Sequence, residues 1–161
     1  MAFVDETRAM NMTKIDGFLE VPDIKGPSKR DGHEDQIEIH DVRFKMVAPF
    51  DPNSLSRKGR VSLGTVTCAK DTDMASPYLA KACHENKQMD EVKIYCRRTI
   101  DGSTSDYFVV TLKDASVVGY EFGASDTHSD TLEDRVQFAY KNIELSYDKD
   151  HTTDMDVGTG M

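Results

Sequence analysis

No run of apolar residues in this chain approaches the ~20 needed to cross a bilayer as a helix. The densest stretch, around Val117 and Val118, is far shorter, so no membrane insertion is expected. Clustered basic residues are also missing. Net charge is −9 and the isoelectric point near 5.0, which argues against nucleic acid, whose phosphates need grouped Lys and Arg. The nearest cluster, Lys93, Arg97 and Arg98, is interrupted and reads as a solvated strand face. Cysteines number three; Cys68, Cys83 and Cys96 form no C-x-x-C pair and no zinc spacing. Among apolar neighbours they read as buried free thiols, as suits a protein folding in a reducing compartment. The first ten residues lack a basic region followed by an apolar one, so synthesis in the cytoplasm without a cleaved signal peptide is expected. There is no G-x-S-x-G elbow, no glycine-rich phosphate loop and no internal repeat.

What is present fits one globular domain: 161 residues, 38% hydrophobic and 30% charged. Asp71 to Lys87 holds the one convincing helix. Ser76 is placed as its N-cap and Pro77 at the first helical position, where a missing N–H costs nothing. Leu79, Ala82 and Cys83 make a narrow apolar stripe suited to lying on a sheet. Lys81 and Glu85 face away, and His84 and Lys87 sit near the negative end of the helix dipole.

The rest reads as strands. Residues 1–13 are expected as a flexible arm and Lys14 to Val21 as a first strand. A long polar loop follows, from Pro22 to Asp35. In Gln36 to Val47 the apolar positions change phase: Ile37 and Ile39 share one parity, whereas Val42, Phe44 and Met46 have the other. A side-chain period of two forbids that on a flat strand, so a bulge or sharp coil near His40 and Asp41 is required. Ala48 to Arg60 is a second long loop. Val61 to Ala69 reads as a strand buried on both sides. Val92 to Ile100 and Ser103 to Lys113 flank Asp101-Gly102, the sequence of a type I′ hairpin turn. Ser116 to Phe122 is expected to pair back after a tight turn around Asp114. Leu132 to Tyr147 repeats the phase change, with Val136, Phe138 and Tyr140 against Ile143, Leu145 and Tyr147. Two long strands that switch faces suit the corners of a small barrel. Asp148 to Met161 is expected as a disordered acidic tail.

Five stretches in this order resemble one family. They are Gly26-Pro27-Ser28; His33-Glu34-Asp35-Gln36-Ile37-Glu38-Ile39; Asp73-Met74-Ala75-Ser76-Pro77-Tyr78-Leu79; Asp101-Gly102 with Tyr107-Phe108 and Thr111-Leu112; and the run from Glu133 to Leu145. Together they resemble Hcp (hemolysin-coregulated protein), the tube protein of bacterial type VI secretion systems, over residues 14–147. Met74 stands where the family usually has Lys, and Asn86-Lys87 where it has Gly. The resemblance implies a mainly β fold, a small two-sheet β-barrel with one short helix. It implies a homohexameric ring, stacking into a tube inside a contractile sheath, capped by a spike and expelled from the cell. Effectors carried in the lumen would be further partners, and no cofactor is implied. A phage-tail-tube-like protein is the related alternative.

A closed ring repeats heterologous contacts around an axis, and long loops are suitable material for them. Pro49, Phe50, Asp51, Pro52, Asn53, Leu55, Arg57 and Lys58 are therefore candidates for contact with a neighbouring subunit or ring. Arg43 falls where the family's sheet tends to face the channel and is the candidate lumen or cargo contact, against the plainer reading of a solvated strand face. The rival class is a metal- or acid/base-dependent enzyme. Its best cluster is His33, Glu34, Asp35 and His40, but no matching distal ligand stands out, and Ser76 already has a structural use. A monomeric ligand-binding barrel would leave the long loops unexplained. Phe44, Tyr107, Phe108, Phe138 and Tyr140 alternate as core residues do, without the basic interleaving of a base-stacking surface.

Overall fold

The computed structural model describes residues 14–125 and 131–158. The expected arm at 1–13, residues 126–130 and the last three residues lie outside them. Five early strands are β1 (Asp16–Glu20), β2 (Ile37–Ile39), β3 (Asp41–Arg43), β4 (Met46–Val47) and β5 (Ser62–Leu63). Then come β6 (Val66–Asp71), helix α1 (Ser76–His84), β7 (Met89–Ile100) and β8 (Ser103–Ala124). The chain ends with β9 (Leu132–Ala139), β10 (Asn142–Tyr147) and β11 (His151–Asp156). The main sheet runs β2-β1-β7-β8-β9-β6-β3, with β10 and β11 attached beside β8. The barrel expected from the sequence is not closed. The terminal strands β2 and β3 are separated only by His40, and no ladder joins them among the described residues.

Each change of apolar phase marks a change of strand partner. β2 pairs with β1, and β3 with β6. Between them the His40 amide donates to the Ala69 carbonyl, while its own carbonyl accepts from Ile15 N–H, both at 3.0 Å. In place of a bulge, the strand breaks, and one residue ties both neighbours. The second phase change, at Tyr140 and Lys141, separates β9, which pairs with β6 and β8, from β10, which pairs with β8 and β11. Val61 to Ala69 is likewise two strands, broken at Gly64 and Thr65, and the expected burial on both sides is found in β6, where the successive residues Cys68, Ala69 and Lys70 are all buried.

His40 at this corner is half-buried, its Nε2 3.3 Å from Glu133 and 3.7 Å from Asp71. Burial, with help from Lys14, holds its pKa below the usual 6.5, although Glu133, Asp71 and Asp41 pull the other way. The unfolded chain therefore takes up a proton that the folded chain resists, and stability falls as pH drops below the unfolded value. The urea unfolding midpoint is expected to decrease between about pH 7.5 and about pH 5.5. His40→Gln should flatten that slope; an unchanged slope would assign it to other groups.

Three expectations are corrected. No tight turn forms at Asp114. β8 runs 22 residues straight through it, first pairing with β7 and β10, then with β9. Asp114 does adopt a positive φ of 51°, but one such residue bends a strand without reversing it, and β9 supplies the partner. The acidic tail is not wholly disordered, since all six residues of His151–Asp156 pair with β10. Met155 there packs against the core, so one apolar residue and a free sheet edge outweigh the polar composition. Third, Ser76 does not cap the helix. The N-cap is Ala75, without a side-chain bond. Instead Asp73 Oδ1 accepts from Ala75 N–H at 2.9 Å and Ser76 Oγ accepts from Asp73 N–H at 3.0 Å, a capping box shifted toward the strand.

Other expectations match. Asp101 and Gly102 both have positive φ, 52° and 79°, as a type I′ turn demands. Leu79 and Ala82 are buried and Cys83 is half-buried against the core. Asn86, where the family usually has Gly, takes φ 52° just beyond the helix; asparagine tolerates the left-handed region better than most residues. The core is filled by Phe18, Leu19, Ile94, Leu112, Phe138 and Ile143, all fully buried.

One polar knot sits in that core. Lys70 and Asp134 are both fully buried. Lys70 Nζ donates to Asp134 Oδ2 at 3.0 Å, Asp73 Oδ1 at 2.9 Å, Ser76 Oγ at 3.1 Å and the Asp71 carbonyl at 3.0 Å. Asp134 also accepts from Ser76 Oγ, from Thr72 at 2.7 Å and from Tyr120 at 3.1 Å. The start of α1 is thereby stitched to the ends of β6, β8 and β9.

Candidate functional site

The loop at Ala48 to Arg60 is the end of a built hairpin. Its stem is the two-stranded sheet of β4 and β5, with Met46 opposite Leu63 and Val47 opposite Ser62, and Gly64 N–H donates to the Lys45 carbonyl at 2.9 Å. Beyond the stem, Lys58 N–H donates to the Pro49 carbonyl at 2.8 Å and Phe50 bridges to Arg57. Asp51 organises the tip. Its amide donates to the Ser56 carbonyl, its carbonyl accepts from Leu55 N–H, and its Oδ1 accepts from Asn53 N–H at 2.9 Å. Pro52 starts the turn, and Leu55 completes it with φ 58°.

This construction leaves apolar side chains in water. Leu55 is 78% and Phe50 59% exposed, and Met46 and Val47 are exposed on the stem. Arg57 and Lys58 point outward with them. An ordered projection that displays apolar groups is suited to binding rather than to folding. Of the sequence candidates, the structure brings Pro49 through Lys58 together on one finger. Arg43 stands apart on β3, exposed, with its Nε donating to Asp41 at 3.1 Å. Sequence reasoning missed the stem. The sequence reading runs Met46 and Val47 on in one strand with Val42 and Phe44, and the cue to the stem is that Leu63 lies at hairpin distance across the loop.

The enzyme cluster disperses. His33 is buried, its ring stacked on Phe18 at 4.4 Å. Its Nδ1 lies 2.7 Å from Gln36 Oε1 and its Nε2 3.0 Å from Asp106 Oδ2, so neither ring nitrogen faces Glu34, Asp35 or His40. Arg97 closes the other side of Asp106 at 2.9 Å, so that basic residue is not part of a simple solvated face. Burial pushes the Cys68 and Cys96 thiols up, Cys96 to about 11, which makes both poor nucleophiles.

Residues 18–147 match the family model described as "Type VI secretion system effector, Hcp". The chain belongs to the Hcp family. It is 30% identical over 141 residues to the "Major exported protein" of Pseudomonas aeruginosa, covering 83% of this chain and 81% of that one. It is 24% identical over 135 residues to "Protein hcp1" of the same organism. Hcp1 from E. coli EAEC 042 superposes with a TM-score of 0.77 at 23% identity, covering 88% of this chain and 98% of that chain. Hcp1 from Salmonella typhimurium gives 0.73 at 21%, covering 92% and 98%. As an Hcp protein the chain is a tube subunit of a type VI secretion system and acts structurally, not as an enzyme.

Proposed function

We propose that copies of this Hcp protein close into a homohexameric ring and that rings stack into the tube. On this reading the tube lies inside a contractile sheath beneath a spike, leaves the cell without a cleaved signal peptide, and carries effectors in its lumen. The observation that carries the proposal is the hairpin of residues 45–64, ordered by its own backbone bonds while displaying Phe50 and Leu55. Repeated assembly of one chain needs surfaces that fit different surfaces on the next copy, and such a finger is one. Size-exclusion chromatography should give a mass several times 18.1 kDa, with annular particles in negative stain; a monomer at every concentration tested would reject the reading.

Charge supplies a further expected result. Every subunit adds a further −9, and salt screens repulsion beyond ~8 Å near physiological ionic strength. Assembly followed by sedimentation should weaken as salt is lowered, and a salt-independent profile would count against a crowded acidic ring. Arg43 is assigned to the lumen as a cargo contact. Rings of Arg43→Glu should retain less effector in a pull-down, and undiminished retention would return Arg43 to an ordinary solvated face.

A further inference from the structure

Among the described residues, one end of the β6–β9–β8 sheet keeps an apolar surface with nothing over it. The three strands lie side by side, and Asp71, Glu133 and Gly123 line up at that end. Thr72 N–H donates to the Leu132 carbonyl at 3.0 Å as the chain leaves β6 for α1. Leu132 is 48%, Phe122 63%, Met74 57% and Tyr78 61% exposed. Phe122 lies directly across from Asp134, and cross-strand partners share a face. Leu132, two residues from Asp134, shares it too. Ser76 at the start of α1 bonds Asp134, so Phe122 and Leu132 flank the turn that carries Met74 and the helix that carries Tyr78. Exposed apolar side chains grouped in this way mark a contact surface.

The chain enters the fold at the same end. Ile15 N–H donates to the His40 carbonyl at 3.0 Å, and the Lys14 charge acts on the His40 ring. His40 Nε2 lies 3.3 Å from Glu133 and 3.7 Å from Asp71. Glu133 follows Leu132 directly, and Asp71 is three residues before Met74. Residues 1–13 therefore join the fold at the border of the uncovered surface. Met12 stands two residues from Lys14, about 7 Å of extended chain, and the whole segment spans at most about 45 Å.

The composition of the segment fits that surface. Phe3, Val4, Met10 and Met12 supply apolar side chains, and the flexible thioether of methionine adapts to irregular surfaces. Its charged residues, Asp5, Glu6 and Arg8, nearly balance. The segment thus escapes most of the repulsion that a whole chain of net charge −9 meets at an end exposing Asp71 and Glu121. The family match begins at residue 18, so the segment lies outside it, and Met74 stands where the family usually has Lys. An added apolar segment and an apolar residue in place of a cation, two departures from the family, meet at one place.

We infer that residues 1–13 fold back over their own chain, seating Met10 and Met12 on Met74, Tyr78, Phe122 and Leu132, and that this end opens to a second copy only when the segment is displaced. The covering concerns the single chain and stands apart from the tube reading; its effect on assembly rests on that reading. A short tether holds the segment at a high effective concentration, so modest apolar contact keeps it seated. A second copy must compete with it.

The test is a chain carrying Met12→Cys and Leu132→Cys, with Met10→Cys and Met74→Cys as a second pair. Leu132 and Met74 are exposed, so cysteine there costs no core packing. Met12→Cys alone is the control for the native thiols, which are buried or half-buried. Oxidised in dilute solution, each pair should form a disulfide within one chain, seen as a faster band of unchanged mass on a denaturing, non-reducing gel. Dimers in place of that band would seat the segment on another copy, and absence of any cross-link would leave the surface bare; either overturns the covering. Deleting residues 2–12 should raise the fluorescence of anilinonaphthalene sulfonate bound to the folded chain, and Phe122→Lys with Leu132→Lys should remove the gain. No gain would also overturn the covering. In sedimentation the shortened chain should assemble at a lower protein concentration than the full chain. An equal or higher concentration would overturn the gating of assembly and leave the covering, read from the intrachain disulfide, intact. Failure of both chains to assemble would remove the tube reading and the gating with it, while the disulfide still decides the covering.

Discussion

Replacing Lys70 with methionine is expected to lower the unfolding free energy by about 3–5 kcal/mol, the usual loss when one partner of a buried ion pair is removed. Asp134 would be left in the core without its cation, while its hydroxyl donors remain. In the native chain burial alone would raise the Asp134 pKa, but hydrogen bonds from Ser76, Thr72 and Lys70, with the Lys70 charge, bring it below the usual carboxylate value. A depressed carboxylate stabilises the fold above its unfolded pKa, and that contribution is lost as pH falls through the folded one. The native protein should thus keep this stabilisation at neutral pH and lose it only in acid. In Lys70→Met, Asp134 protonates more easily, so mild acid should narrow the gap between the two proteins. Urea denaturation at matched protein concentration measures both effects, matching being necessary because assembly also stabilises the folded chain. A double change, Lys70→Met with Asp134→Leu, should recover only part of the loss, because Ser76, Thr72 and Tyr120 would then lack their acceptor. A cost below about 1 kcal/mol for Lys70→Met would show the knot to be dispensable.

Cutting the hairpin short should leave a folded protein that forms rings but no tubes. Replacing Asp51–Ser56 with an Asn-Gly turn keeps the Phe50–Arg57 bridge and removes Leu55 together with the Asp51 turn. Surface changes of this kind usually shift stability by no more than about 0.5 kcal/mol, so the unfolding midpoint should hardly move. Sedimentation should show the long species gone and the ring species retained. Tubes of normal length would remove the hairpin from the stacking contact, and loss of rings as well would place it between subunits of one ring.

Legibility in the sequence followed the range of the forces involved. Asp101-Gly102 could be read because two left-handed residues in a row are a local steric demand that few dipeptides meet. The breaks near His40 and Tyr140 could be read because parity is a local property of a strand, although parity alone did not say whether the chain would bulge or change partners. Asp114 misled because aspartate is a common turn residue, and only β9, distant in sequence, decides that the strand continues. The tail misled in the same way: a polar composition predicts no core, yet pairing with β10 needs only backbone groups and a free edge. Of the candidate site, the loop and its residues were visible. The stem and the exposure of Phe50 and Leu55 were not, because exposure depends on what the rest of the chain leaves uncovered.

The amino-acid order alone determined the mainly β character, the helix at Ser76, the hairpin turn and, through five spaced motifs, membership in the Hcp family. These follow from side-chain period, turn sterics and residue identity, which act over a few positions. Tertiary structure alone decided that the barrel stays open, that Lys70 and Asp134 meet in the core, and that the hairpin of residues 45–64 leaves Phe50 and Leu55 exposed. Those outcomes depend on pairings between residues far apart in the chain, Lys70 and Asp134 being 64 positions apart, and the free energy of such contacts exists only once the chain has brought them together.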